Sequence, residues 1–335
     1  MASNLTYDDF ATVTLPFDLL GRRLAMRSAL GASRDQAHAD STLTVREAQF
    51  AAARTWWEVW AAQSLAAIAE DQAELYRRVA SIDSTRAAEG EIAEATAFRM
   101  QLEAQRAQHQ TSLAIASAAH ARAALATLVG ESDPARARVE DAAPELDALP
   151  NLDVALAGAD RDRPDLAVAR SAERAADRRR AAEVRGTLAD VALTAGYKGT
   201  GGFGTSVIGL SFAPPLLNAN GGARERSTGE WLVATAARRT AELRTSTEVY
   251  AALEAARALD AGTSGFDAAF VARAEVVASA AEAAYRDGAA SLVELLDAFR
   301  AAADARAAFV RGTLDRALAR LELRHAIGAT AVEVP

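Results

Sequence analysis

The stretch RDGAASLVELLDAFR at 286–300 holds the most suggestive chemistry in the chain. Glu294 and Asp297 stand three residues apart among leucines, so on a helix both carboxylates fall on one face. Crowded like charges bind cations and raise one another's pKa. The plainer reading is a solvated face of an amphipathic helix, with Gly288 in a loop before it. Tyr285 lies one turn upstream and reads as a packing residue. Elsewhere RTWWEVW places Trp56, Trp57 and Trp60 close together on a helix. Such a cluster could stack bases or sugars, but tryptophans at helical spacing are more often packing residues. The run Arg178–Arg180, with Arg174 and Arg185, reads as a solvated helix face. His38, His109, His120 and His325 have no metal-binding spacing such as HExxH. GTGGFG at 199–204 lies between two strand-like segments rather than before a helix, so it reads as a turn and not a phosphate cradle. No nucleophile motif or compact acid–base pair is found, so neither catalysis nor a cofactor is expected.

These residues need elements to position them. Half of the 335 residues are hydrophobic, yet only 6 % are aromatic and alanine dominates. Long helices in close contact through small side chains fit that composition. The net charge of −8 with scattered basic residues argues against nucleic acid. The absence of cysteine removes disulfides and thiolate chemistry. No run of 18 apolar residues occurs, so no transmembrane helix is expected. The opening MASNLTYDDF lacks a basic start and an apolar core, so no signal peptide is expected there. Either the protein is cytosolic or this chain begins after its export signal.

Two regions alternate as strands do. In FATVTLPF (10–17), Phe10, Thr12 and Thr14 oppose Ala11, Val13 and Leu15. In 188–215, Val191, Leu193, Ala195 and Tyr197 share one face, and after the turn Ser206, Ile208, Leu210 and Phe212 share another. Pro214 and Pro215 then end the second strand. Nearly everything else reads as helix: about 21–86, 91–129, 163–185, 221–261, and from 266 to about 327 after a break at 260–265. A helix of ~60 residues is ~90 Å long, which implies a coiled coil or extended bundle. Leu292, Leu296, Phe299, Ala303, Val310, Leu314, Ala317 and Leu321 form a heptad-like seam. Residues 131–162 are a linker, proline-punctuated up to Pro150.

The chain also repeats itself. Pro16 corresponds to Pro215, Gly90 to Gly288 and Gly130 to Gly328, at offsets of 199, 198 and 198. The expected domains are a partial first copy (1–130), the linker (131–162), a second copy (163–328) and a tail (329–335). Each copy runs strand, long helix, glycine break, long helix, glycine stop. Glu294 and Asp297 have no acidic twins: Thr96 and Arg99 occupy those places.

This arrangement resembles the TolC-type outer-membrane efflux family, through LPFDLLGRR (15–23), RPDLAVAR (163–170), LSFAPPLLNANGGA (210–223) and YRDGAASLVELLDAFR (285–300). The resemblance implies a mainly α fold with a small β portion: long coiled-coil hairpins plus strands of an outer-membrane barrel. It implies a homotrimer in the outer membrane and periplasm, exporting small molecules or metal cations with a periplasmic adaptor and an inner-membrane pump. Against the family, a first helix, one strand and the export signal are missing, leaving three strands where the family has four. Glu294 and Asp297 match acids set near the tunnel's periplasmic entrance, where threefold symmetry would make a ring of six carboxylates. Tyr285 matches a tyrosine that ties hairpins at the closed tip. The acid expected opposite it falls at Thr96 and an expected arginine at Ala290, which weakens the latch. Gly90 and Gly288 mark hairpin tips, where adaptor and pump subunits grip. The rival from another class is a soluble coiled-coil scaffold, which explains the helices but not the strands or the repeat.

Overall fold

The computed structural model describes residues 8–17, 21–140, 146–185, 191–200, 203–212, 220–263 and 265–329. Pro214 and Pro215, named above as the end of a strand, lie outside them, as does the middle of the turn at 201–202.

The strands are β1 (Asp8–Phe17), β2 (Val191–Thr200) and β3 (Phe203–Phe212). They pair antiparallel in the order β1-β2-β3. Directly opposed residues share a face, so the register sorts the side chains. Leu15, Leu193 and Leu210 align across the sheet, as do Val13, Ala195 and Ile208. The two rows read separately from β2 and β3 therefore merge into one apolar face. Its large members Val13, Leu15, Ile208 and Leu210 are exposed. The opposite face carries Thr12, Thr14, Thr194, Gly196, Lys198 and Thr205, together with the exposed Phe10 and Val207. There Thr14 and Thr194 bring their hydroxyls to 3.2 Å. Gly196 allows β1 to come close, because a Cβ there would run into Thr12 and the Ala11 carbonyl.

Seven helices follow among the described residues: α1 (Arg22–Ala88), α2 (Glu94–Val129), α3 (Leu152–Asp162), α4 (Pro164–Arg185), α5 (Gly221–Thr263), α6 (Ala268–Arg286) and α7 (Leu292–Ile327). The expected breaks hold within a few residues. One element differs: α3 is a helix inside the segment read as linker. Its signal, an apolar face built from Leu152, Ala155, Leu156 and Ala159, is only three turns long. Ala155 and Ala159 bury against Val249 and Ala326. A second correction concerns membrane propensity. By length and composition α2 is apolar enough to cross a membrane. Alanine, leucine and isoleucine raise its mean hydropathy over a window even though no unbroken apolar run exists. Within that apolar stretch Leu125 and Ala126 are buried in a protein core with Val59, while most of the stretch is exposed.

Two compact units arise. One comprises residues 1–43 and 164–244; the other comprises 44–163 and 245–335. In the first, the sheet accompanies α4 and the start of α5. Arg238 of α5 bonds Glu173 of α4 at 2.6 Å, and the Arg180 guanidinium lies 4.6 Å from the Trp231 ring. Arg178 and Arg179 face solvent as expected, but Arg180 is half-buried on that ring. In the second unit, the α7 seam is buried or half-buried at every position from Leu292 to Leu321. Trp56, Trp57 and Trp60 meet edge to face, with centroids 5.1 and 5.6 Å apart. They cluster with Val139 of the linker and Val310, so they serve packing and not a stacking platform.

The glycines paired in the sequence share their local geometry. Gly90 and Gly288 both adopt a left-handed backbone, with φ of 78° and 73°. Each is flanked by the same pair of bonds. Glu91 N–H donates to Arg86 O and Gly90 N–H to Ala87 O; Ala289 N–H donates to Ala284 O and Gly288 N–H to Tyr285 O. This is the Schellman closure, which satisfies the last carbonyls of a helix and favours glycine. Gly130 and Gly328 repeat the left-handed stop at the ends of α2 and α7.

Candidate functional site

The second unit carries the helix ends where the sequence placed its candidates. On α1 the stripe Ala73, Tyr76, Ala80, Asp83 steps by three and four, so Asp83 occupies a position that faces a partner helix. On α6 the last full turn presents Tyr285. The two meet. The Tyr285 hydroxyl lies 2.9 Å from both carboxylate oxygens of Asp83 and donates to them. Asp83 is completely buried and Tyr285 is 7 % exposed.

Burial sets the electrostatics of this pair. Desolvation pushes the Asp83 carboxyl above its usual range, opposed by the Tyr285 hydrogen bond and the Arg86 charge. Desolvation, then the bond to Asp83, pushes the Tyr285 phenol up to about 12. Arg86 sits 5.9 Å from the Tyr285 ring centre and pairs with Glu91 at 3.2 Å. Beneath the pair lies a core of Tyr76, Val79, Met100, Leu295, Leu296 and Phe299. Tyr76 and Phe299 stack with centroids 6.0 Å apart. Arg300 of α7 bonds Glu103 of α2 at 3.0 Å, joining the two hairpins below the tips.

Within this chain the acid bonded to Tyr285 is Asp83 on α1, a partner that the sequence reading did not name. Thr96 is half-buried in the first turn of α2, its N–H donating to Ala93 O at 2.9 Å. Asp83 was missed because IDSTR looks like polar helix surface. The available signal was its place on the apolar stripe, where a carboxylate needs a partner.

Glu294 has a local role that the sequence reading did not assign. Ser291 caps α7: its Oγ accepts from the Glu294 N–H at 3.3 Å, while Glu294 Oε2 accepts from the Ser291 N–H at 2.7 Å and hydroxyl at 2.9 Å. This reciprocal capping box satisfies two donors at the helix start. The Ser291 backbone bond first, then its hydroxyl, holds the Glu294 carboxyl below the usual range. Within the single chain its pKa thus moves opposite to the rise that carboxylate crowding would cause. The first copy lacks both halves of the box, with Ala93 as its cap and Thr96 at the glutamate's position. Asp297, one turn on, is exposed. Gly90 and Gly288 are exposed at their tips. Among the described residues no three His, Cys, Asp or Glu side chains are grouped to hold a metal.

No protein-family model and no curated protein matches the sequence. Solved structures do match in fold. The outer membrane protein VceC of Vibrio cholerae superposes with a TM-score of 0.76 at 18 % identity, over 97 % of this chain and 87 % of its own. The Campylobacter jejuni CmeC outer membrane channel gives 0.80 at 14 %, over 97 % and 78 %. The open-state MtrE outer membrane channel of Neisseria gonorrhoeae gives 0.70 at 19 %, over 97 % and 80 %. The chain has the fold of TolC-type outer-membrane efflux channels, in agreement with the mainly helical, partly β class read from its sequence.

Proposed function

We propose that this chain is the outer-membrane channel subunit of a tripartite efflux system. The observation that carries the reading is the match of nearly the whole chain to such channels, at TM-scores of 0.70 to 0.80. The sheet supports it: one exposed face is apolar, and the other, which mixes threonine, glycine and lysine with Phe10 and Val207, is more polar, as strands between lipid and an aqueous lumen are. A soluble scaffold has no use for that exposed apolar face. In this reading three copies close a barrel, since an open sheet edge is not tolerated in lipid. The duplicated copies, 1–130 and 163–328, supply the tunnel's hairpins. A periplasmic adaptor and an inner-membrane pump engage the tips at Gly90 and Gly288, and the pump selects the small molecules or metal cations exported. Tyr285 and Asp83 hold the second tip to α1 in the closed state. Glu294 and Asp297 from three copies line the entrance and favour cations. Thr96, at the first tip, takes the place of that acid without its charge.

Planar-bilayer conductance of the exported protein tests this. Wild type is expected to conduct with a preference for cations, and Glu294→Ala combined with Asp297→Ala to lose much of that preference. Unchanged selectivity removes the carboxylate ring; the absence of any conductance from assembled protein removes the channel reading.

A further inference from the structure

The first unit contains a polar cleft that channel function does not use. It has a volume of about 310 Å³ and is lined by Ser28, Gly31, Ala32 and Asp35 of α1 and by Ser171, Arg174 and Arg178 of α4. Arg174 and Arg178 are one turn apart on the same face of α4. Like charges at that spacing destabilise a helix unless something neutralises them. Their neighbours are neutralised: Arg170 approaches Glu242, and Arg180 pairs with Asp177. Among the described residues neither Arg174 nor Arg178 has a carboxylate partner. Asp35 is the one acid in the lining, and it stands 3.4 Å from its own neighbour Arg34.

A second observation concerns Gly31. Glycine inside a helix costs about 1 kcal/mol relative to alanine. A Cβ at Gly31 would meet nothing within 4 Å, so close contact with another part of the chain does not explain it. Gly31 lines the cleft, and without a side chain it leaves that wall open.

We propose that this cleft binds a phosphate group, held by the Arg174 and Arg178 guanidiniums and the Ser28 hydroxyl across the space left by Gly31. Guanidinium forks match the oxygens of phosphate. Two sources share this chemistry, the headgroup of an anionic phospholipid and free phosphate. The place in the fold admits the first. Arg178 lies seven residues before the end of α4, about 10 Å along the helix, and β2 follows in the same unit. The site goes beyond the channel reading and does not depend on it; only the lipid arm of the test does.

The test is titration of purified, detergent-solubilised protein with inorganic phosphate at constant ionic strength, followed by calorimetry. Wild type is expected to bind saturably. Arg174→Gln with Arg178→Gln should weaken binding at least tenfold, and Gly31→Leu should weaken it comparably without changing charge. Arg179→Gln, on the same helix but outside the cleft lining, should stay within twofold. Dispersed phosphatidylglycerol, but not phosphatidylcholine, should displace phosphate if a headgroup is the natural occupant; no displacement by either assigns the site to free phosphate. No saturable binding by wild type, or equal affinity in the double variant and Arg179→Gln, overturns the proposal.

Discussion

Replacing Tyr285 with phenylalanine removes one oxygen atom and tests the node between the hairpins. That oxygen donates to a carboxylate with no exposure to water, 2.9 Å from each of its oxygens. A hydrogen bond to a charged group contributes about 1.5–3 kcal/mol, and a charge left buried without its donor is the costlier half of such a pair. The ring's packing survives in phenylalanine. The expected loss is therefore about 2 kcal/mol at neutral pH, read as a lower denaturant midpoint by circular dichroism with an unchanged slope. Asp83→Asn keeps an acceptor for the tyrosine and removes the desolvated charge, so it should cost little. In that background Tyr285→Phe should cost about 1 kcal/mol less than in wild type, the coupling that a double-mutant cycle isolates.

The pH dependence has a definite sign. The Asp83 carboxyl is raised in the folded chain, so between its unfolded and folded pKa values the folded state holds a proton that the unfolded state lacks. Stability from this group falls as pH rises through that window. Losing the Tyr285 donor raises the folded pKa further. The Tyr285→Phe deficit should be full above the variant's folded Asp83 pKa and should shrink as pH falls through it, because a neutral carboxyl has less need of the donor. A deficit identical at neutral and acid pH, or identical with asparagine at 83, would refute the charge-assisted bond as the source of the effect.

The remaining expectations concern the helix ends. Gly328→Ala should destabilise far more than Gly90→Ala: both residues have positive φ, but a Cβ at Gly328 would sit 2.6 Å from the Arg163 backbone while one at Gly90 meets open space. Gly90→Ala should cost only the left-handed backbone strain, about 1 kcal/mol, and thermal unfolding of the two variants side by side checks the ranking. Ser291→Ala should cost about 1 kcal/mol as a lost N-cap, whereas Ala93→Ser, restoring half a box at the first tip, should stabilise. The Glu294 carboxyl is depressed, so its share is fully present above the unfolded pKa and is lost as pH falls through the folded value; titrating stability from pH 6 downward in wild type and Glu294→Gln separates that share.

How far the sequence could be read depends on whether each residue's determinant is local. The long helices, the paired glycines and the α7 seam follow from propensity and period, which neighbouring residues fix, and they stand where expected. The short helix α3 was missed because it is only eleven residues long and follows a proline-punctuated stretch, and its burial depends on Val249 and Ala326 far along the chain. Asp83 was missed for the same reason in sharper form: nothing near it announces a tyrosine 202 residues away. Glu294 shows the opposite failure. Ser-x-x-Glu before an apolar run is a local and legible capping signal, but the residue drew a long-range role first. Its lack of a twin in the first copy gains a second explanation once Ser291 is seen to lack one as well, with Ala93 at the corresponding cap. Asp297 has no such local duty. The two acids therefore separate by experiment: removing Glu294 should alter both the stability of the α7 start and any ion preference, and removing Asp297 should alter ion preference alone.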